Sequence, residues 1–298
     1  MKDNWMKYKD DSLVASFYDS QTTTFQEQGF ETELAFGTAG IRGQFGLGPG
    51  RLNRYTIQRL ALGIANYLKD KEDNPSIVIH YDIRHLSSEF AHIITQILTS
   101  NGIKVYLADV YKTTPQLSFA VRYLQTSAGI MITASHNPKD YNGIKVYGAD
   151  GAQLDEGTSL EVAQYINNLG NPLKLNINLN QELIEKNTFD LLEAVYDSYI
   201  NELTNLTGDI PQSDLKVVYT SLHGTGVPII PDVLKHLNFQ NVSLVKSQCE
   251  LDPNFSSVKS ANPEEREAFD LAIQQAHDID ANLILSLIHI SEPTRLLS

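Results

Sequence analysis

Short apolar runs recur along this chain and alternate with segments of helical spacing. The runs at 77–81, 104–107 and 128–132 are rich in Ile, Val and other apolar residues and predict buried strands. Before and between these runs, apolar residues spaced three and four apart predict helices, one over 53–67 and one from Thr114. Strands that alternate with helices favour layered α/β/α domains with mixed, mostly parallel sheets.

A change of pattern in the second half of the chain indicates a domain boundary. The spacing predicts one long helix over 186–205, and a new strand pattern begins at 215–219. Turn residues such as Gly and Pro separate the two, within 205–212. We therefore predict a first domain over 1–207 and a second, incomplete domain over 208–284.

Composition excludes several classes of function. The chain has 298 residues with a net charge of −13, which disfavours a general nucleic-acid partner because phosphate backbones need clustered Lys and Arg. A local basic cluster can still bind a small phosphorylated ligand. Cys249 is the only cysteine, so no internal disulfide or Cys-based metal site is expected. The sequence shows neither a signal-peptide pattern nor an apolar run of membrane-spanning length, and we expect a cytoplasmic protein without a membrane partner.

The loop Thr-Ala-Ser-His-Asn-Pro, residues 133–138, directly follows the apolar run at 128–132. It presents Ser135 at the end of a strand, where ligands reach α/β sheets. Neighbouring side chains on an extended backbone point to opposite sides, so Ser135 and His136 are not expected to form a hydrolase dyad. A serine that carries a transferable group, such as a phosphoryl, fits the loop better.

This loop and further segments of the chain resemble the α-D-phosphohexomutases, in the phosphoglucomutase/phosphopentomutase branch. The loop matches that family's phosphoserine loop, and the resemblance runs from about Trp5 to Ile284. The other matching segments, in the family's order, are 36–43, 81–87, 112–115, 141–147, 222–226, 252–255 and 262–265.

The resemblance implies a reaction and its cofactors. Ser135 would carry a phosphoryl group and exchange it with a hexose 1-phosphate or 6-phosphate, with glucose as the favoured sugar, through a bisphosphorylated intermediate. Glucose 1,6-bisphosphate would phosphorylate the enzyme. Mg²⁺ would bind at the phosphoryl group of Ser135, where it neutralises charge. The expected partner is thus a small phosphosugar, and nothing in the sequence specifies an oligomeric state.

The same resemblance assigns roles to individual residues. Arg42 and Lys145 would supply positive charge and assist proton transfer, and His136 would support the serine. The alternatives are a surface ion pair for Arg42 and a solvated strand position for Lys145. Residues expected to bind phosphate or substrate are Thr133, Asn137 and Arg84.

Three weaker candidates have structural alternatives. Arg84 follows a strand end, and an ion pair with Asp82 or Glu89 competes with a phosphate contact. The loop at His223 either binds an anion or makes a tight turn, and we favour the structural role. The segment 262–265 has the character of a helix N-terminus.

The end of the sequence departs from the family pattern. The strand beginning near Ala281 is expected to lead into an aspartate-rich loop that holds Mg²⁺, yet no Asp follows Asp280. Residues 285–295 instead match one translated frame of a common sequencing-library adapter. We hypothesise that 285–298 is a non-native tail and that this polypeptide alone has little or no activity. The competing functional hypothesis is a phosphosugar-binding or regulatory module without turnover.

Overall fold

The computed structural model describes residues 2–11, 13–37, 40–208, 211–260 and 262–286, and within them two α/β units follow one another. The helices are α1 Lys2–Met6, α2 Ala15–Ser20, α3 Thr23–Glu31, α4 Arg54–Lys71, α5 Ser87–Ser100, α6 Thr114–Leu124, α7 Glu156–Asn167, α8 Gln181–Asn187, α9 Glu193–Thr207, α10 Ile230–His236 and α11 Asp270–Ile279. The strands are β1 Ile41–Gln44, β2 Ser76–Tyr81, β3 Lys104–Leu107, β4 Ala128–Ile132, β5 Tyr141–Gly148, β6 Thr188–Asp190, β7 Ser213–Thr220, β8 Phe239–Leu244 and β9 Leu283–Ser286.

The first unit is built on a sheet with the strand order β1-β5-β4-β2-β3-β6. The strands β4, β2, β3 and β6 are parallel, and β5 runs antiparallel to both β1 and β4. Alternate residues of β2 enter different cores, since Ile77 and Ile79 pack with α4 and α5 while Val78 packs with Leu117 and Val121 of α6. The predicted layered fold with a mixed, mostly parallel sheet is confirmed.

Local sequence signals set the start of two of the helices that the spacing predicts. The side chain of Asn53 accepts hydrogen bonds from the amides of Tyr55 and Thr56, and the Asn53 amide donates to Oγ1 of Thr56, so a capping box begins α4. A second capping box, between Thr113 and Gln116, begins α6. Each box satisfies amide donors that the first helical turn leaves unpaired.

The predicted helix over 186–205 is confirmed from Glu193 onward, as α9, and is wrong before it, because strand β6 interrupts the helical segment. Thr188, Phe189 and Asp190 pair in parallel with Val105–Leu107 of β3, and the helices α8 and α9 lie on either side. A β-branched and an aromatic residue gain more from pairing with the exposed edge of β3 than from continuing the helix. Tertiary pairing thus overrides the helical spacing.

The second unit has a three-stranded parallel sheet in the order β8-β7-β9, with α10 and α11 packed against it. Helix α9 joins the units. Its Tyr199 ring lies 5.3 Å from the Phe119 ring of α6, and its Tyr196 hydroxyl donates to Asp232 of α10 at 2.8 Å. Leu285 and Ser286 complete β9, whereas 287–298 of the hypothesised tail lie outside the described residues.

No helix in the described part of the chain combines the length and the apolar character needed to cross a bilayer.

Candidate active site

Ser135 lies on the loop that leaves β4 at the carboxyl edge of the parallel strands. Its backbone is left-handed, with φ of 57°. The Ser135 amide donates to Oγ1 of Thr133 at 2.9 Å, and the Asn137 amide donates to the carbonyl of Ala134 at 3.1 Å. A left-handed serine costs on the order of 1–3 kcal/mol and persists only where its surroundings determine it.

The guanidinium of Arg84 determines this loop conformation. Its Nη2 donates to the carbonyl oxygens of Ser135 and Asn137 at 2.6 and 2.7 Å, and its Nη1 donates to those of Pro138 and Tyr141 at 2.9 and 3.2 Å. The fork of donors on a guanidinium suits several carbonyls at once, which a lysine ammonium cannot match. Arg84 therefore braces the serine loop, in the sense that its guanidinium holds the backbone carbonyls of the loop in place.

The remaining donor of Arg84 engages Asp82. Its Nε lies 3.4 Å from Oδ2 of Asp82, and both side chains are almost fully buried. Carbonyl oxygens accept from both Nη atoms and the Asp82 carboxylate faces Nε, so the structure shows the ion pair that the sequence offered as an alternative; the phosphate contact of Arg84 stays a prediction. Burial raises the pKa of the Asp82 carboxyl, and Arg84 and the hydroxyl of Ser87, 2.6 Å away, oppose that shift.

The geometric premise against a Ser135–His136 contact is wrong. The left-handed backbone at Ser135 brings its Oγ to 3.4 Å from Nδ1 of His136, where an extended backbone would separate the two side chains. This distance exceeds the usual O–H···N range, and the His136 ring is exposed. The ring is placed to approach a group attached to the serine.

Arg42 joins the site from β1. Its Nη1 donates to Oδ1 of Asn137 at 3.0 Å, so the observed partner is a neutral amide of the serine loop and not the carboxylate of a surface ion pair. The side chain is exposed, which leaves its charge near the loop and accessible to an anion. Gly40, close to Arg42 in the chain, allows the backbone to lie against β5, since a Cβ there would be 2.1 Å from the Ile144 carbonyl oxygen. Residues 38 and 39 of the same segment lie outside the described residues.

Lys145 lies in β5, opposite Met131 of β4, and is 7% exposed. Burial excludes the solvated strand position that the sequence left open. The strand also anchors the serine loop, because the Thr133 amide donates to the Gly143 carbonyl at 2.9 Å. Burial of the Lys145 ammonium next to the start of the serine loop costs desolvation free energy, which favours a functional reason for its presence.

Loops of the second unit contact the loop between β2 and α5, which carries Arg84. His85 contacts Asn254 through Nε2 at 3.0 Å, and the Arg84 guanidinium lies 5.2 Å from the Phe255 ring centroid. His223 is buried, with its ring nitrogens 2.9 Å from the Glu250 carbonyl and 2.5 Å from Oγ of Ser257. These contacts agree with the structural role that we favoured for His223.

A cleft of about 590 Å³ separates the serine loop from the second-unit segment 254–265. Asn262 accepts from the Glu264 amide at 3.1 Å, and this turn precedes α11. The size and the mixed polar lining suit a small polar ligand. The side chains that line the cleft include His136, Asn137, Lys139, Asn254, Ser256 and Lys259.

Two family models match the chain. The model for phosphoglucomutase/phosphomannomutase, alpha/beta/alpha domain I, matches residues 33–172, and the model for domain II matches residues 197–287. Together they cover well over half of the sequence. The chain belongs to the phosphoglucomutase/phosphomannomutase family. The second match starts within α9, the helix that contacts both units.

Curated relatives of this chain are named phosphoglucomutases. A phosphoglucomutase of Staphylococcus haemolyticus is 96% identical over 286 residues, which are 96% of this chain and 52% of that protein. A phosphoglucomutase of Staphylococcus aureus is 57% identical over 288 residues, which are 96% of this chain and 51% of that protein. The chain spans about half the length of the curated relatives it matches.

Solved structures show the same fold. A putative phosphomannomutase from Thermus thermophilus superposes with a TM-score of 0.70 at 26% identity, covering 86% of this chain and 55% of that one. A phosphoglucomutase/phosphomannomutase family protein from Burkholderia thailandensis superposes with a TM-score of 0.63 at 22% identity, covering 83% and 50%.

The Mg²⁺ that the family resemblance implies does not fit the described residues. No group of three or more His, Cys, Asp or Glu among them is arranged to hold a metal ion. Hard divalent cations need several oxygen ligands. The phosphoryl group of Ser135 would supply oxygens only on its own side of such a site.

The sequence did not predict the hydrogen-bond network that links β5 to the start of α5, next to the serine loop of this phosphoglucomutase/phosphomannomutase domain. The side-chain amide of Asn142 donates to Oγ of Ser87 at 2.8 Å and to the His85 carbonyl at 3.0 Å, which links β5 to the start of α5. The hydroxyl of Ser87, the first residue of α5, donates to Oδ1 of Asp82. The only available signal was the position of these polar residues directly beside strand ends.

Proposed function

We propose that Ser135 is the phosphoryl carrier of a mutase that interconverts hexose 1-phosphate and hexose 6-phosphate, with glucose as the hexose. The observation that carries the proposal is the left-handed Ser135 on a loop whose carbonyls Arg84 braces, beside the cleft that starts at His136. A nucleophile on so constrained a loop is preorganised for group transfer. The names of the relatives support this reaction class.

The transfer step balances within these groups. The P–O bond between a sugar oxygen and phosphorus breaks, and a bond from Oγ of Ser135 to phosphorus forms. The serine proton passes to the sugar oxygen. This step follows its own reverse at the other sugar hydroxyl: the phosphoserine first gives its phosphoryl group to the hexose monophosphate, and the proton of the sugar hydroxyl passes to Oγ of Ser135. The bisphosphorylated sugar formed in this way then returns its other phosphoryl group to Ser135, so the phosphorylated position changes without net loss of phosphate.

The residues around Ser135 have distinct proposed roles. Arg42 and Lys145 offset the negative charge that collects on the transferred group, and either assists proton transfer at the acceptor hydroxyl. His136 and Asn137 approach the phosphoryl oxygens, and Thr133 holds the Ser135 amide.

The cofactors remain proposals for the whole protein. Glucose 1,6-bisphosphate is the proposed phosphoryl donor, and Mg²⁺, when bound, would neutralise charge at the phosphoserine. Since the described residues lack a metal cluster, we assign no step of this chain's chemistry to the ion. We propose little or no turnover for the chain by itself and full turnover for a protein of the relatives' length.

A coupled assay distinguishes the mutase from a phosphosugar-binding module. Glucose 1-phosphate, a trace of glucose 1,6-bisphosphate and Mg²⁺ are supplied to a protein of the relatives' length that contains this sequence, and glucose 6-phosphate is detected with its dehydrogenase. We expect turnover that Ser135→Ala abolishes and that Ser20→Ala, on α2, retains. Binding of the sugar phosphate without turnover would support the module, and turnover by Ser135→Ala would contradict the proposed mechanism.

A further inference from the structure

The hydroxyl of Thr225 is a buried donor that nothing in the proposed reaction uses so far. Thr225 is 2% exposed, and its Oγ1 has no hydrogen-bond partner within the described ranges. A buried, unsatisfied hydroxyl costs on the order of 1–3 kcal/mol, so its retention calls for a physical reason.

The turn that carries Thr225 is rigid. Two successive residues before it, Leu222 and His223, are left-handed, with φ of 46° and 62°. The His223 ring is fixed at both nitrogens by Glu250 and Ser257, and the Gly224 amide donates to the Ser221 carbonyl at 2.7 Å. The hydroxyl is therefore held in place by the conformation of the loop.

Thr225 and Ser135 line the same narrow pocket, one from each unit. Asp82, Arg84 and Phe255 are among the other residues that form its walls. Its volume is about 10 Å³. Such a space accommodates about one water-sized atom. One terminal oxygen of a phosphoryl group has that size.

The chemistry of the pocket favours an anionic oxygen. A phosphoryl oxygen is a strong acceptor, and a hydrogen bond to a charged acceptor is roughly twice as strong as one between neutral groups. The Arg84 guanidinium in the pocket wall offsets the charge of the Asp82 carboxylate beside it, so the unpartnered Thr225 hydroxyl is the donor that the pocket offers to an anionic oxygen.

We propose that Thr225 is a further catalytic residue: its hydroxyl donates a hydrogen bond to one oxygen of the phosphoryl group on Ser135. The second unit thereby contacts the reacting group directly, through a residue that does not belong to the aspartate-rich loop expected to hold Mg²⁺. This inference rests on the proposed phosphoserine function and extends it across the interface between the two units.

The test places phosphoserine at position 135 of the 298-residue chain during translation, by expansion of the genetic code, and follows the ³¹P NMR resonance through a pH titration. A dianionic phosphate accepts hydrogen bonds more strongly than the monoanion, so a donor lowers the second pKa of the phosphoserine. Thr225→Val preserves shape and removes the hydroxyl, and we expect it to raise that pKa by roughly one unit. Thr225→Ser should keep the parent value.

Thr95 supplies the matched control. Its Oγ1 is also buried without a partner in the described part of the chain, but it lies on α5, away from this pocket. Thr95→Val should leave the titration unchanged. If Thr225→Val fails to fold, Thr225→Ala takes its place in the comparison with Thr225→Ser. An equal phosphoserine pKa in the parent and in the variant without the hydroxyl would overturn the proposal.

The titration tests the role of Thr225 independently of the proposed transfer of a phosphoryl group to Ser135. Phosphoserine installed by translation does not depend on transfer from a sugar bisphosphate. An unchanged titration would overturn the role of Thr225 alone, whereas the absence of enzymatic transfer to Ser135 would overturn the function on which it rests.

Discussion

Nη2 of Arg84 lies 2.6 Å from the carbonyl oxygen of Ser135, and this hydrogen bond ties the loop after β4 to the loop after β2. The guanidinium acts on the backbone of the serine and not on its hydroxyl. Arg84 is thus a positioning residue, and the buried Asp82 holds it in turn.

Replacement of Arg84 should affect both stability and transfer. Arg84→Met leaves Asp82 buried without its cation, and the loss of a buried partner costs about 3–5 kcal/mol. We expect the free energy of unfolding in urea to fall by that amount and phosphorylation of Ser135 to slow. Arg122→Met, which removes an exposed arginine on α6, should change neither quantity. Equal stability of the Arg84 and Arg122 variants would contradict the bracing role.

Gly40 should be irreplaceable because of close contact as well as backbone conformation. Its φ is 87°, and a Cβ would meet the Ile144 carbonyl oxygen at 2.1 Å. Gly102 is the matched control, since its φ is 83° and a Cβ there would have no atom within 4 Å. Gly40→Ala and Gly102→Ala share the strain of a left-handed alanine, on the order of 1–2 kcal/mol.

Only Gly40→Ala should add displacement of β5 and of Arg42. Chemical denaturation measures the stability difference between the two glycine variants. A larger loss of stability in Gly40→Ala is expected, together with slower phosphorylation of Ser135. Equal losses would show that the contact with β5 is not needed.

His80 should make the fold sensitive to acid. Burial in β2 lowers the pKa of its imidazole to about 3, against about 6.5 in an unfolded chain. Between these values the unfolded chain binds one more proton than the folded one. The free energy of unfolding therefore falls as the pH drops below about 6.5, by about 1.4 kcal/mol per pH unit from this residue alone.

Urea unfolding between pH 4.5 and 7.5 tests the contribution of His80. His80→Leu should show a shallower dependence on pH than the parent protein, whereas His92→Gln, at an exposed position of α5, should match the parent. Parallel curves for all three proteins would exclude His80 as the source of acid sensitivity.

Local signals made part of this molecule predictable. Asn53 and Thr113 cap α4 and α6, and such helix starts can be predicted because capping depends on neighbouring residues alone. Strand β6 was missed because its stability comes from pairing with β3, far away in sequence. The serine loop was found from its residues, yet its left-handed turn and its support by Arg84 depend on contacts across about fifty residues of chain.

The candidate site has residues from both units, and those of the first unit could be predicted from the sequence better than Thr225 of the second unit. Arg42, His136 and Asn137 were expected near Ser135, and the structure brings them to one loop. The sequence offered anion binding for the loop at His223 as a whole and did not single out Thr225, because a hydroxyl in a Gly-Thr-Gly sequence is typical of tight turns. Only its burial without a partner distinguishes it.

Phosphopeptide mapping tests the central claim most directly. A protein of the relatives' length that contains this sequence is incubated with ³²P-labelled glucose 1,6-bisphosphate and Mg²⁺ and digested with trypsin. The peptide of residues 123–139 contains Thr126, Ser127, Thr133 and Ser135, which fragment ions distinguish. We predict label on Ser135 alone and none in Ser135→Ala. Label on another residue of this peptide, or label that persists in Ser135→Ala, would contradict the account.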